Sequence, residues 1–239
     1  MLDDDEVRRA LAVMAHPDDI DFAAAGTVAT WTDKGIEVTY LIVTDGDAGG
    51  YDPDVPRAEI PGIRRAEQTA AAKCVGVADV RFLGYRDGQV EATLGLRRDI
   101  ARVIRQVRPD RVLIPNPERN LERIYANHPD HRAVGAAALD AVYPDARNPY
   151  TFTELLSDEG LEAWSAREVW ITGGPAPNHH VDVTDVFDRK LSALRAHASQ
   201  TSHMTGLEDM LRGWLAANAR DRGLPDGRLA EAFQVVPTP

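Results

Sequence analysis

An imidazole and three carboxylates crowd together near the start of the chain, as His16, Asp18, Asp19 and Asp21 in the segment AHPDDID. They follow directly on an apolar run over residues 9–15. Neighbouring carboxylates repel one another and lose solvation when they are buried, so something must offset that free energy. Bulk solvent and a metal ion are the two candidates, and a metal ion relieves the repulsion better than solvent alone.

The same residue types recur far along the chain, in the segment NHPDH at residues 127–131. Imidazole nitrogen and carboxylate oxygen are zinc ligands, and a catalytic zinc takes three protein ligands and a water. His16 and Asp19 stand three residues apart in a turn, so both can face one ion. His131, at the start of a predicted helix, would supply the third ligand. One zinc ion per chain is therefore the predicted cofactor.

The other residues of the two motifs have predicted roles around that ion. Asp18 is adjacent to Asp19 and cannot readily share its direction. It would therefore stand beside the water, where a general base belongs. His128 would stabilise an oxyanion or protonate a leaving group, and Asp130 would orient a histidine by hydrogen bonding to its ring.

Each motif taken alone also has a purely structural interpretation. HPDD is compatible with a proline turn that leads into a helix cap, and NHPDH with an ordinary helix start. The acidic loop TDGDAGG, residues 44–50, is compatible with a solvated turn. The coincidence of two His/Asp motifs, each following a separate predicted strand, favours the metal site.

Alternating apolar segments predict the elements that position these motifs. Strands are expected at 9–15, 36–44, 79–85, 111–115 and 168–172. Helices are expected at 23–34, 62–74, 96–107, 131–142, 184–198 and 206–220, and an elaborated loop at 143–165. This alternation predicts an α/β protein with a mostly parallel sheet and helices on both faces, in one domain over residues 1–239. Ligands of such sheets bind beyond the carboxyl ends of the strands, where the His- and Asp-rich loops emerge.

Composition argues against several classes of partner. The chain has 27 Lys and Arg against 38 Asp and Glu, a formal net charge of −11. It therefore offers no broad basic face for nucleic acid and is repelled by anionic membranes. A single cysteine, Cys74, excludes an intrachain disulfide. We see no signal peptide and no run of roughly 18 apolar residues, so we expect a cytoplasmic protein without membrane insertion. A homo-oligomer is compatible with the sequence.

Six segments in order along the chain carry a family resemblance. They are AHPDDID at 15–21, TDGDAGG at 44–50, IRRAEQTAAAKCVGV at 63–77, RFLGYRDGQV at 81–90, HPDHRAVG at 128–135 and DVTDVFDRKLSALRAHASQ at 182–200. With these segments the chain resembles the PIG-L/LmbE family of zinc-dependent de-N-acetylases.

The resemblance implies a Rossmann-like fold, the same three zinc ligands, Asp18 as general base and His128 as acid or oxyanion partner. It also implies a place at the site for Arg64, in the Arg-x-x-Glu of the second predicted helix. One position departs from the family pattern HPDD-x-Glu, because Asp21 is one methylene shorter than the usual glutamate. This departure implies either contact with its partner through water or a subfamily with a different substrate.

We therefore predict a zinc-dependent amidohydrolase that removes an acyl group, in the first place acetyl, from the nitrogen of a small molecule such as a 2-acetamido sugar or its conjugate. Two alternatives stay open, a metal-dependent phosphoesterase and a non-catalytic metal- or nucleotide-binding α/β module. No Gly-x-Gly-x-x-Gly follows the first strand, which weakens a dinucleotide site. Substrate specificity is expected in the loops 48–60, 116–127 and 143–165.

Overall fold

The protein is built around a central sheet of seven strands. The structure is a computed structural model that describes residues 1–121, 124 and 127–238. The strands are β1 (Arg9–Met14), β2 (Glu37–Thr44), β3 (Asp79–Tyr85), β4 (Arg111–Pro115), β5 (Glu168–Thr172), β6 (His179–Asp182) and β7 (Ala230–Pro237). Their order across the sheet is β3-β2-β1-β4-β5-β7-β6. Neighbours from β3 to β5 pair in parallel, and β7 pairs antiparallel with both β5 and β6.

Eight helices connect and cover these strands in the described part of the chain. They are α1 (Asp19–Asp33), α2 (Ile60–Cys74), α3 (Leu94–Val107), α4 (Pro129–Asp140), α5 (Glu154–Ser157), α6 (Phe187–Ala196), α7 (Ala198–Thr201) and α8 (Leu207–Asp221). Short 3-10 turns lie at Asp4–Glu6, Arg57–Glu59 and Thr184–Val186, and a π-helical turn at Ala141–Asp145. No described helix is both long enough and apolar enough to cross a membrane.

Both faces of the sheet are covered, as the predicted α/β class requires. Side chains alternate along each strand, so Leu11 and Val13 of β1 enter the core under α3 and α4. Ala12 and Met14, one residue out of phase, enter the core under α1 and α2. Burial on both faces explains why β1 and β2 read as continuous apolar runs rather than as alternating ones.

The two antiparallel strands are absent from the sequence-based prediction, which is wrong on this point. β6 has only four residues, and its segment HHVD is half-buried and polar. β7 comes after α8 and is placed between β5 and β6, so three helices, α6, α7 and α8, separate it in the sequence from both of the strands with which it pairs. Such long-range pairing leaves no local pattern in the sequence, because strand propensity reflects neighbours across the sheet.

Several predicted helix boundaries also need correction. The first helix begins at Asp19 rather than at residue 23, so the motif carboxylates lie on its first turn. The helix predicted from 131 begins at Pro129, which makes His131 its third residue. The helix predicted at 184–198 is a 3-10 turn followed by α6, which ends before His197, and then by the short α7. The loop predicted at 143–165 contains α5.

Close packing of α4 on the end of β4 fixes where this helix presents its histidine. A methyl group on Gly135 would overlap the carbonyl oxygen of Pro115 and lie 3.0 Å from the backbone nitrogen of Pro117. Both obstacles are backbone atoms, which cannot rotate away as the end of a flexible side chain can. Glycine at this position therefore sets the distance between α4 and the sheet edge.

We expect Gly135→Ala to lower the free energy of unfolding by about 1–3 kcal/mol, the usual range for overpacking. Gly213→Ala is the matched control, because Gly213 lies in α8 with no atom within 4 Å of the added methyl group. There the better helix propensity of alanine should raise stability by up to ~1 kcal/mol. Urea unfolding monitored by circular dichroism measures both values. Equal shifts in the two variants would contradict the close packing.

Candidate metal centre and active site

Four loops meet at the carboxyl edge of the parallel strands. The segment after β1 brings His16, the segment after β3 brings Asp87, and the segment after β4 brings His128 and His131. The glycine-rich loop after β2 lies beside them, because the backbone nitrogen of Ala48 donates to Asp87. The edge on which the sequence placed the ligand site therefore carries a cluster of histidines and carboxylates.

The three predicted zinc ligands face one another. Nδ1 of His16 lies 3.2 Å from Nε2 of His131 and 3.4 Å from Oδ2 of Asp19. Nε2 of His131 lies 3.0 Å from Oδ1 of Asp19. Ligand atoms about 2.0–2.1 Å from a tetrahedral zinc stand roughly 3.3–3.4 Å apart, so these atoms have the spacing of a site for one small cation.

The opposite nitrogen of His16 is held by two other carboxylates. Its Nε2 lies 3.0 Å from Oδ1 of Asp87 and 3.2 Å from Oδ2 of Asp130. Because both neighbours are hydrogen-bond acceptors, we assign the ring proton to Nε2. Nδ1, which faces Asp19 and His131, then carries a lone pair that can bind a metal ion. The contact between Asp130 and a histidine ring is the one that the sequence analysis predicts.

Among the described residues, potential ligand atoms within 4.8 Å of one another form two groups, His16 with His128 and His131, and His16 with Asp87 and Asp130. The second group is already bonded to backbone donors. Asp130 accepts from the nitrogen of Gly88 at 2.7 Å, and Asp87 accepts from the loop after β2. The histidine group, which Asp19 closes on one side, is therefore the better cation site.

The surplus of negative charge at the site shifts the pKa of His16. Burial lowers the pKa of this imidazole, but the carboxylates of Asp19, Asp130 and Asp87 outweigh burial and raise the pKa to about 12. Burial likewise opposes ionisation of Asp19, yet His131 and His16 hold the pKa of its carboxyl group well below the usual value. The cluster thus binds positive charge, which a metal cation would supply in place of a proton.

Asp18 stands beside this group in an unusual backbone conformation. Its φ is 92°, in the left-handed region that side chains rarely adopt, and its backbone nitrogen donates to Oε1 of Gln68 at 2.8 Å. Its Oδ2 accepts from Nη2 of Arg64 at 2.9 Å. Burial raises the pKa of the Asp18 carboxyl group, the neighbouring Asp19 adds to the rise, and Arg64 opposes it, which gives a pKa of about 7.

Arg64 is buried, and its position requires glycines in the loop after β2. Its Nη2 also donates to the carbonyl oxygen of Pro17, and its Nη1 donates to that of Gly46 at 3.2 Å. A methyl group on Gly46 or on Gly49 would overlap the guanidinium nitrogen. The glycines of the motif TDGDAGG therefore make room for an arginine that holds the turn after β1.

His128 caps the helix that presents His131. Its Nδ1 accepts a hydrogen bond from the backbone nitrogen of Asp130 at 3.2 Å. Burial lowers the pKa of His128, and the nearby imidazoles of His16 and His131 lower it further, so the ring is neutral near pH 7. With Nδ1 as acceptor, the proton resides on Nε2, which is then available as a hydrogen-bond donor.

Asp21 contacts its partners directly, not through water. Its Oδ2 accepts a hydrogen bond from Nε2 of Gln68 at 2.8 Å. The same oxygen lies 2.8 Å from Nε2 of His197. Asp21 and His197 are both fully buried. The same Gln68 side chain accepts a hydrogen bond from the backbone nitrogen of Asp18, so this network ties α1 and α2 together behind the turn that carries His16 and Asp19.

Two residues of the site are absent from the sequence-based prediction, Asp87 and Gln68. Asp87 could have been found, because the Asp-Gly turn in RDGQ follows β3 at the same sheet edge as the other motifs. Gln68 carries no such signal, since a glutamine in the middle of a helix is ordinary on any exposed face. Its role depends on α2 packing against the turn after β1.

Comparisons with known proteins show that the chain is similar to deacetylases of one family. The model of the family PIG-L, described as GlcNAc-PI de-N-acetylase, matches residues 11–142. The chain is 34% identical over 97% of its length to diacetylchitobiose deacetylase of Thermococcus kodakarensis, covering 84% of that protein. It is 35% identical over 84% of its length to the probable N-acetyl-alpha-D-glucosaminyl L-malate deacetylase 2 of Bacillus cereus, covering 87% of it.

A solved structure extends the likeness to three dimensions. N,N'-diacetylchitobiose deacetylase from Pyrococcus horikoshii, in complex with its inhibitor MPG, matches with a TM-score of 0.89 and 31% identity. The match covers 98% of this chain and 85% of the other. The fold and the site thus define a Rossmann-like hydrolase with a candidate His/Asp metal centre. The chain belongs to the PIG-L family.

We expect Asp21→Glu, which restores the usual family residue, to lower the free energy of unfolding by about 1–3 kcal/mol. The longer side chain must displace Gln68 and His197, because the site is fully buried. Asp5→Glu is the matched control at an exposed position and should change stability by less than about 0.5 kcal/mol. Urea unfolding compares the two. An Asp21→Glu variant as stable as the control would mean that the site has spare room for a water molecule.

Proposed function

We propose that this protein is a zinc-dependent N-deacetylase that hydrolyses the acetamido group of a small 2-acetamido sugar or its conjugate. The observation that carries this proposal is the convergence of the free nitrogens of His16 and His131 on the Asp19 carboxylate, with a second carboxylate, Asp18, beside them. Membership in the PIG-L family and the activities named for the relatives support it.

The donor set fits one zinc ion per chain, held by His16, Asp19 and His131. Two imidazole nitrogens and one carboxylate oxygen are typical of catalytic zinc, which keeps a further position open. The surplus negative charge of the cluster favours a cation over a neutral occupant. When bound, zinc supplies Lewis acidity, which makes water nucleophilic near neutral pH and polarises an amide carbonyl.

Asp18 is proposed to accept the proton of the attacking water. Its pKa of about 7 lies close to the operating range in which a general base is most effective. Arg64 holds the carboxylate by one oxygen, so the other oxygen is the one left to act. The proton that Asp18 receives then passes to the nitrogen as the C–N bond breaks, which releases acetate and a primary amine.

His128 is proposed to stabilise the tetrahedral oxyanion. Its Nδ1 is engaged by the helix that it caps, and its neutral ring therefore carries a proton on Nε2. A fixed donor aimed at the charge that develops in the transition state is an effective form of catalysis. Asp130 and Asp87 are proposed to keep His16 in the tautomer that presents Nδ1.

The choice of an acetamido sugar as substrate rests on the names of the relatives. The names of those compared here specify diacetylchitobiose and an N-acetylglucosaminyl malate, which share a 2-acetamido sugar. Cytoplasmic location, a single domain and assembly into a homo-oligomer stay predictions.

The reaction class is tested by amine release. Metal-loaded protein should release free amine and acetate from N-acetylated sugars, and treatment with a chelator should abolish this release until zinc is added back. Fluorescamine labelling quantifies the amine, and a molybdate assay on phosphoesters is run in parallel. Phosphate release without deacylation would favour the metal-dependent phosphoesterase, and no turnover with either panel would favour the non-catalytic module.

The different roles proposed for Asp18 and Asp19 give a sharper test of the mechanism. Asp18→Asn should retain zinc near the wild-type level, because this side chain is not a ligand in the proposal. Its kcat should fall roughly 10²–10⁴-fold, the range for loss of a general base. Asp19→Asn is the matched variant, and it should lose zinc first and regain part of its activity in excess zinc.

Atomic absorption of the purified variants gives the metal content, and turnover at saturating zinc gives the rate. An Asp18→Asn variant that is empty of metal would make Asp18 a ligand. A metal-loaded Asp18→Asn variant with wild-type turnover would mean that Asp18 has no role in the reaction.

A further inference from the structure

A fully buried ion pair bonds the backbone of α1, the helix whose first residue is Asp19. Nζ of Lys190 in α6 lies 2.7 Å from Oε1 of Glu231 in β7, and the two side chains are 0% and 1% exposed. Because β7 runs antiparallel to β5, its first residues lie at the sheet edge that also carries the metal centre. The catalytic roles proposed above do not involve this pair.

Lys190 donates to main-chain oxygens near the start of α1. Its Nζ bonds the carbonyl oxygen of Asp21 at 2.8 Å and that of Phe22 at 2.7 Å. These residues stand two and three positions after the predicted zinc ligand Asp19. Carbonyl oxygens inside a helix have the N–H group four residues later as their regular partner. The ammonium group is therefore an additional contact, which ties the turn beginning at Asp19 to α6.

Glu231 accepts hydrogen bonds from the next turn of the same helix. Its Oε1 accepts from the backbone nitrogen of Gly26 at 3.0 Å, and its Oε2 from that of Thr27 at 2.7 Å. In a regular helix the N–H group of Gly26 faces the carbonyl of Phe22, so the lysine and the glutamate contact the two ends of one helical turn. Glycine permits this close approach, because a methyl group on Gly26 would overlap Val183 and lie 3.1 Å from Oε1 of Glu231.

The sequence of α1 shows why such contacts matter. Residues 22–30, FAAAGTVAT, are mostly alanine, glycine and threonine, which offer few large side chains to interlock with neighbouring elements. Hydrophobic burial is non-directional, so a smooth helix surface fixes the position of the helix along its own axis only weakly. Hydrogen bonds to charged groups are directional and roughly twice as strong as neutral ones. The ion pair therefore fixes both the translation and the rotation of α1.

A small displacement of α1 would change the geometry of the metal centre. Oδ1 of Asp19 lies 3.0 Å from Nε2 of His131, and its Oδ2 lies 3.4 Å from Nδ1 of His16. The two histidines belong to other segments, so they would not follow a movement of α1. Functional groups need to be held within about 0.5 Å of their productive positions. The distance between Asp19 and the histidines therefore depends on what holds the helix.

We propose that Lys190 and Glu231 are positioning residues, which hold the first turn of α1 where Asp19 completes the metal centre. The inference rests on the proposed function and adds to it the support of its metal site. Replacing a buried ion pair by well-packed apolar side chains is often neutral for stability. Apolar side chains cannot bond the N–H and carbonyl groups of a helix, however, so the contribution of this pair lies in geometry.

The test compares this pair with another fully buried ion pair of the same chain. Nε of Arg111 lies 2.7 Å from Oε1 of Glu168, and these side chains are also 0% and 1% exposed. Both residues begin their strands, β4 and β5, at the sheet edge opposite the metal centre. Glu231→Gln and Glu168→Gln remove one charge from each pair with the same change of size. We expect both to lower the midpoint of urea unfolding.

Only Glu231→Gln should weaken metal binding by the full-length chain. Competition with a chromophoric chelator gives the dissociation constant for Zn²⁺, which should rise roughly tenfold, at the lower end of the range for residues that support metal ligands. At saturating zinc its kcat for an N-acetylated sugar should fall roughly tenfold and its KM should change less than about twofold. Glu168→Gln should leave all three values within about twofold of the wild type.

The double variant Lys190→Met with Glu231→Gln separates positioning from stability. It removes both charges and so avoids a buried charge without a partner, which is the costly case. Its unfolding midpoint should recover toward the wild-type value, while its zinc affinity should stay as low as that of Glu231→Gln. If Glu231→Gln does not fold, this double variant decides the outcome.

Glu231 also lines the cavity beside His131, so a direct effect on the substrate must be distinguished from positioning. Wild-type zinc affinity in Glu231→Gln, with or without a higher KM, overturns the positioning role. An equal loss of zinc affinity in Glu168→Gln also overturns it, because the loss would then reflect general loosening of the fold. If the wild type binds zinc but releases no amine, the proposed reaction fails, and the zinc affinities alone decide the positioning role. A wild type that binds no zinc overturns both.

Discussion

Concentrated negative charge around one imidazole is the constraint on which the rest of the site depends. Asp19, Asp87 and Asp130 approach His16 from three different segments, and a fourth carboxylate, Asp18, stands next to them. Such a group is stable only when a cation or protons compensate it. The protein holds the carboxylates in place with strands, a helix start and backbone donors, so the free energy that they cost in isolation becomes affinity for a cation.

Support for this cluster comes from side chains that are not among the predicted zinc ligands. Arg64 bonds the turn after β1 at two places and is itself enclosed by two glycines of the neighbouring loop. Gln68 joins the backbone of Asp18 to the carboxylate of Asp21. Because these contacts are buried and share partners, the ligand turn is held in a strained backbone conformation that an isolated peptide would not adopt.

Much of this arrangement follows from the sequence, and the reasons differ from residue to residue. The strong apolar runs of β1 and β2 predict buried parallel strands, and parallel strands bring their carboxyl ends to one edge, so His16 and His131 are expected to meet. The antiparallel pair β6 and β7 is missed because its pairing is long-range. The expectation that the loops 48–60, 116–127 and 143–165 carry substrate specificity stays a prediction.

The contacts of Asp21 also differ from what its residue type suggests, because they depend on how closely the helices pack. The missing methylene of Asp21 suggested a bridging water, yet α1 and α2 approach closely enough for direct bonds. Within the loop predicted at 116–127, residues 122, 123, 125 and 126 lie outside the described part of the chain.

The position of the last strand has a consequence for biosynthesis. β7 lies between β5 and β6, so a nascent chain that lacks residues 230–237 leaves an open edge on β5. Open edges invite pairing with other chains. The predicted zinc ligands His16, Asp19 and His131, by contrast, have all been synthesised once the chain reaches residue 131. A chain cut short before residue 230 would therefore keep the predicted zinc ligands and lose the strand that joins β5 to β6.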